Sequence, residues 1–422
     1  MPKKPLLPIA FIALFLPAAL EAQDADPVIY TLAVAGDTRF DPAYPTAAKS
    51  NQVHRSEVEA FLKARNRPDD GAYPWTFNYV QVRQTLEDLG SLPKELMPNR
   101  FMIMGDLVMG FKQGDGGKGL AQELEDFQWA MERAATRAAS APMVAVPKLF
   151  LPGNHEMTYK AYSQGKPASG VDLDDARAWD KWTGRLGQSN FNFNGPAKGD
   201  PAVETFQLAL DQKDESFSFR EADGKVHLVV INTDTPIQDP KGAFVPDLGR
   251  VPLAWLEEDL AKAQADPQVK TILVFGHKPA ARPGNFNDKK KDEDTIHPAS
   301  ASAFTALLRK HGKVAAYICS HVHLFRADSL ADPDKVTQRP VQIVVGNGGT
   351  SLESWWIPGT EKAPFTTKAP YFGFALVQVL ASGEVRFRPY GRPAPVGKPV
   401  YAAYDGPEQA KAKPVMDWQR IQ

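Results

Sequence analysis

Five times in this chain a short apolar run stops at a small residue that is followed at once by Asp, Asn or His, and that recurrence limits the possible folds more than any other feature. The five stops are Gly36-Asp37-Thr38-Arg39, Gly105-Asp106, Gly153-Asn154-His155-Glu156, Gly276-His277 and Ser320-His321-Val322-His323. The runs before them, residues 28–35, 101–104, 144–151, 271–275 and 314–318, are too short and too uniformly apolar for amphipathic surface helices. They read as buried strands, as does 226–231. Between them lie helical spacings: Leu120, Leu124, Phe127, Met131, Ala135 and Ala138 in one stretch, and Leu253, Leu256, Leu260 and Ala263 after Pro252 in another. Strand alternating with helix predicts an α/β layer fold, in which polar groups beyond the strand ends gather along one edge.

Antiparallel pairing is expected as well. Residues 216–220, the Asp223-Gly224 turn and residues 227–232 form a hairpin pattern, and 341–345, 372–379 and 384–389 follow as consecutive strands extending it. The expectation is two packed sheets with helices outside. Residues 157–204 break the rhythm with one helix, 172–186, and an Asn- and Gly-rich run, and read as an inserted cap. Beyond residue 391 the chain turns rich in Pro and Ala, so residues 392–422 read as a C-terminal extension.

The first 22 residues have the pattern of an export signal. Lys3 and Lys4 precede an apolar stretch, residues 6–20, that Pro8 and Pro17 interrupt and that is too short to span a bilayer. A periplasmic or secreted chain, without a transmembrane segment once the signal is removed, is the expectation. With one cysteine, Cys319, no intrachain disulfide can form. The formal charge of −1 gives no basic surplus for wrapping nucleic acid, and no obligate protein partner is evident.

Oxygen and imidazole donors with no thiolate suit ions such as Zn, Mn or Fe. In order and spacing the blocks resemble those of the calcineurin-like metallophosphoesterase superfamily, purple acid phosphatases included, whose pattern runs D-x-H, G-D, G-N-H-D/E, G-H and G-H-x-H. Four of the five blocks are nearly intact, over about residues 28–324. The resemblance implies two facing mixed β-sheets flanked by helices, a four-layer sandwich, as one domain over residues 27–391. It implies a phosphomonoesterase or phosphodiesterase with two divalent or trivalent metal ions and a metal-bound hydroxide as nucleophile. Asp106 would bridge the ions, Asp37 and His323 would complete the first, and Asn154, His277 and His321 would hold the second. His155 would act on the substrate, with Glu156 orienting its imidazole or shaping the pocket. Small-molecule or lipid-linked phosphate esters are the substrates this implies.

The chain also departs from the pattern. Arg39 stands where D-x-H has its histidine, and Met109 where purple acid phosphatases carry a tyrosine. Arg39 has two readings: a fork for a phosphate oxygen, as a catalytic residue, or a partner for a nearby carboxylate. A second functional reading follows from the same gap, a metallophosphoesterase-fold binding protein with impaired catalysis. Nuclease or pyrophosphatase action is a third. His54 is the one other histidine read as able to reach the incomplete metal position.

Overall fold

The computed structural model describes residues 26–39, 41–42, 75–76, 79–108, 110, 118–163, 166–171, 173–186, 207–208, 216–234, 237–238, 244–245, 249–281, 295–332, 337–350, 352, 371–393 and 410–422. Residues 1–22, read as an export signal, and His54, Met109 and residues 353–370 lie outside that set.

Two mixed sheets face each other. The first is built from β1 (Val28–Ala35), β2 (Arg100–Met104), β3 (Lys148–Leu151), β10 (Tyr371–Leu380), β11 (Val385–Pro393), β12 (Lys413–Pro414) and β13 (Gln419–Ile421). Its order is β12-β11-β10-β1-β2-β3, with β13 also on β11. The second contains β4 (Phe217–Glu221), β5 (Val226–Val230), β6 (Thr271–Phe275), β7 (Val314–Cys319), β8 (Phe325–Ser329) and β9 (Val341–Val345), in the order β8-β9-β7-β6-β5-β4. β1, β2 and β3 run parallel, as do β5, β6, β7 and β9.

The period-two alternation of each strand divides its side chains between two apolar layers. Leu32, Val34, Met102 and Met104 point inward to meet Leu228, Val230, Leu273, Phe275 and Ile318 of the second sheet. Ala33, Ala35, Phe101 and Ile103 point outward onto helices α1 (Tyr79–Gly90), α2 (Lys118–Ala135) and α3 (Leu173–Arg185). On the far side Val229, Ile272, Val274 and Val344 pack against α4 (Leu253–Ala265) and α5 (Pro298–Lys310). The result is the four-layer α/β sandwich, in agreement with the fold expected from the sequence.

The pairing of the later strands differs from expectation. The hairpin β4–β5 forms, but β9 joins β7 and β8 in the second sheet, whereas β10 and β11 cross to the first, where β10 pairs antiparallel with β1. Fully buried runs carry no mark of which sheet they enter, because both sheets offer the same apolar environment. The third strand also starts later than expected. Residues 138–144 form a 3-10 turn, and pairing begins at Lys148.

Within residues 157–204, Thr158–Ser163 pairs with Lys166–Val171 as a hairpin, and α3 follows. Trp179 and Trp182 of α3 are buried against Phe127 and Phe150. They serve the core rather than a ligand surface. Within residues 392–422, β12 and β13 pair with β11, and the Arg392 guanidinium is buried on Asp88, Gln81 and Thr85 of α1. No helix among the described residues is long and apolar enough to cross a membrane.

Candidate metal centre

Beyond β1, β2 and β3 of one sheet, and β6 and β7 of the other, the chain delivers Asp37, Asp106, Asn154, His277, His321 and His323 to one place. Backbone bonds continue the ladders past the strand ends: Asp37 N donates to Gly105 O at 3.1 Å, Arg39 N to Asp106 O at 3.0 Å, and Ser320 N to His277 O at 2.9 Å. Three of the six candidate ligands sit in left-handed backbone, Asp37 at φ 54°, Asp106 at φ 52° and His321 at φ 67°. This conformation, rare for residues with a Cβ, swings the side chain out of the strand's line and toward the neighbouring strand end.

Four donor atoms converge. His277 Nε2 lies 3.2 Å from Asp106 Oδ1, 3.2 Å from Asn154 Oδ1 and 3.1 Å from His321 Nδ1. Ligands of a tetrahedral ion with bonds of ~2.0 Å stand roughly 3.3 Å apart, so the spacing fits a small cation. The other face of His277 fixes its tautomer. Nδ1 donates to Met104 O at 2.8 Å, with Ser320 Oγ 2.9 Å away and itself donating to Met104 O. Nε2 is thereby directed at the cluster. Sequence reasoning missed Ser320 in this supporting role, although it heads the Ser-His-Val-His block.

Asp37 and His323 form the adjoining part. His323 Nε2 lies 3.4 Å from Asp37 Oδ1, and Asp37 Oδ2 accepts a bond from His321 N at 2.8 Å. Asp37 Oδ1 is buried with no hydrogen-bond partner among the described residues. Its neighbours are the Arg39 guanidinium at 3.9 Å and His323 Nε2 at 3.4 Å, neither hydrogen-bonded to it, and this oxygen and imidazole donor set fits a metal.

Electrostatics point the same way. Burial opposes ionisation of Asp106, but His155, His277 and Arg39 together hold its carboxyl well below the usual range. Burial likewise opposes protonation of His277, yet Asp106, Asp37 and Asp234 outweigh it and lift the imidazole to about 10. His321 is pushed well down by burial and by the His277 and Lys278 cations. One charged and one neutral imidazole between carboxylates describe a pocket that demands a positive charge and holds a proton where an ion would sit.

Of the two roles expected of Glu156, the contacts fit shaping the pocket rather than orienting an imidazole. Glu156 does not orient His155: Oε1 accepts from Leu107 N and Val108 N at 2.8 and 3.2 Å, and Oε2 from Asp106 N and Gly153 N at 2.9 and 2.8 Å. It clamps the Asp106 turn to the Gly153 turn. Burial and the Asp106 carboxylate push its pKa up to about 8. His155 is nearly buried, its N–H donating to Asp106 Oδ1 at 3.1 Å and its Nε2 standing 3.8 Å from Asp106 Oδ2. Arg39 grips a carboxylate: its Nε and one terminal nitrogen donate to Asp106 Oδ2 at 3.1 and 2.7 Å. The same terminal nitrogen lies 3.9 Å from Asp37 Oδ1.

Residues 31–325 match the sequence profile of the calcineurin-like phosphoesterase family. The chain belongs to this family. As a calcineurin-like phosphoesterase it is similar in fold to a dimetal phosphatase from Danio rerio, at 12% identity over 93% of this chain and 99% of that one, with a TM-score of 0.43. It is also similar to PhoD, at 10% identity over 93% of this chain and 71% of that one, TM-score 0.49. A third similar structure is GAP50 of Plasmodium, at 13% identity over 91% and 89% of the two chains, TM-score 0.40. No curated protein matches this calcineurin-like phosphoesterase. Family membership supports metal-dependent phosphoester hydrolysis, and the buried Asp106, His277 and His321 form a group able to hold an ion.

Proposed function

We propose that this chain is an exported hydrolase that cleaves a small-molecule or lipid-linked phosphate ester with two metal ions of the Mn, Fe or Zn class. The proposal takes residues 1–22 as its export signal, residues 27–391 as the catalytic domain with a cap at 157–204, and the periplasm or cell exterior as its place of action. Asp106, Asn154, His277 and His321 would hold one ion, and Asp106, Asp37 and His323 the other. Cations bound there would supply Lewis acidity, lowering the pKa of a water and neutralising charge on the phosphoryl oxygens. The protein's own groups do the rest. Asp106 would offer Oδ1 to one position and Oδ2, now held by Arg39, to the other. His277, held by Met104 O and Ser320, keeps Nε2 aimed inward. His155, at the edge of the cluster, supplies a proton or a hydrogen bond to the charge developing on the phosphoryl group.

The observation that carries this reading is the convergence of Asp106 Oδ1, Asn154 Oδ1 and His321 Nδ1 on His277 Nε2, at 3.2, 3.2 and 3.1 Å. The Arg39–Asp106 pair favours a second reading, a scaffold of the same fold that binds without turnover. One assay separates them. The purified chain should hydrolyse an aryl phosphate or a bis-aryl phosphate, lose that activity on chelation, and regain it on metal return. Asn154→Ala or His277→Ala should lose bound metal and turnover together. Turnover that survives exhaustive chelation removes the metal-dependent reading, and bound metal with no turnover on any ester supports the second.

A further inference from the structure

We infer that Arg39 is a resident cation that plugs one of the two metal positions, so that the ions load in a fixed order and with very different affinities. The inference rests on the metal-dependent reading above and adds to it which position fills first and what holds the other closed.

Asp106 is used from both sides. Its Oδ1 faces His277 Nε2 at 3.2 Å, together with Asn154 and His321. Its Oδ2 is covered by two nitrogens of Arg39, at 2.7 and 3.1 Å, and the same guanidinium reaches to within 3.9 Å of Asp37 Oδ1. Arg39 therefore sits between the two carboxylates that the second ion would have to share. Both carboxylates are fully buried, and a charge-assisted fork onto a buried oxygen is among the stronger polar contacts a protein makes.

The two positions are unequal for this reason. At the Asn154–His277–His321 position Asp106 Oδ1 faces other ligand atoms, 3.2 Å from His277 Nε2. At the Asp37–His323 position an ion must displace a whole guanidinium from Asp106 Oδ2 and expel its charge. Arg39 has a way out, because its side chain is 14% exposed while both Asp side chains are at 0%. The plug is reversible, with the freed guanidinium left at the mouth. Separating a buried pair is costly enough to set the second ion roughly 100-fold or more below the first in affinity.

The test measures metal directly. Metal-stripped full-length chain is dialysed against graded Mn2+ and the bound metal counted, while low-temperature paramagnetic resonance distinguishes a lone Mn2+ from a spin-coupled pair. Wild type should take up one ion tightly, with an uncoupled spectrum, and a second only at about 100-fold higher Mn2+, when coupling appears. In Arg39→Ala the gap should shrink below about 10-fold, and Arg39→Lys, which keeps the charge without the fork, should fall between. Melting of the metal-free variants checks that each is folded. Two ions of equal affinity in wild type, or an unchanged gap in folded Arg39→Ala, overturns the plug while leaving chelator-sensitive hydrolysis standing. Absence of any bound Mn2+ in both proteins, with no uptake of Zn2+ or Fe2+ in the same dialysis, overturns the plug and the proposed function together.

Discussion

Replacing Glu156 with Gln changes one atom and tests whether the carboxylate clamp holds the centre together. Each oxygen of Glu156 accepts two backbone N–H groups, Leu107 and Val108 on one side, Asp106 and Gly153 on the other. An amide of the same shape keeps one oxygen and turns an N–H2 toward the other pair of donors. Whichever way it rotates, two buried N–H groups lose their acceptor and face another donor. Each such group costs about 1–3 kcal/mol, so the substitution should destabilise the fold by about 2–6 kcal/mol, a large part of the total stability of an ordinary domain. Equilibrium urea unfolding of metal-free Glu156→Gln against wild type at pH 9, above the pKa of about 8 so that Glu156 is ionised, measures this directly. Because the clamp also fixes the Asp106 turn, the variant that still folds should bind Mn2+ at least about 10-fold more weakly. Glu156→Ala, which leaves four donors without the carboxylate, should be no milder. A Glu156→Gln protein within about 0.5 kcal/mol of wild type, with undiminished metal affinity, refutes the reasoning.

Two further outcomes are expected. Gly153→Ala should abolish tight metal binding, because a Cβ there would lie 2.3 Å from Asp106 Oδ1 and 2.9 Å from His277 Cε1; dialysis showing affinity within about threefold of wild type would contradict this. For pH, His277 is raised to about 10, so its pairing with Asp106 stabilises the metal-free protein fully below its unfolded value near 6.5 and loses that contribution as pH climbs through 10. An entering ion takes that proton's place, so apparent metal affinity should rise with pH over the same interval by up to ~10-fold per unit. Calorimetric titration at pH 7.5 in two buffers of different ionisation enthalpy should show close to one proton released with the first ion, and no release would count against the assignment.

What was legible from sequence depended on whether the information was local. Residues 28–35 and 271–275 were read to both ends, because an apolar run closed by Gly marks its own limits. The polar residues just past those ends were legible for the same reason. Helix α1 was hidden, because the face it buries carries Gln81, Arg83, Gln84, Thr85 and Asp88, part of which serves the Arg392 guanidinium more than 300 residues away. The division of β9 from β10 and β11 was hidden too, since sheet membership is a non-local choice between equivalent apolar environments. For Glu156 the sequence left two roles open, orienting His155 or shaping the pocket. Neighbours in a helical turn point roughly 100° apart, so standing next to His155 in the Asn154–Met157 turn argued against contact rather than for it. For Arg39 the sequence left two partners open, and only the direction of the side chain chose Asp106.

The left-handed backbone at Asp37, Asp106 and His321 has a consequence for anyone who engineers this chain. Glycine or asparagine would rest more comfortably at each of those positions, by about 1 kcal/mol apiece, and at Asp37 and Asp106 either would also remove a buried negative charge. Selection for heat resistance alone will therefore favour sturdier molecules that have discarded their ligands, and any such screen must carry a metal-dependent readout beside it.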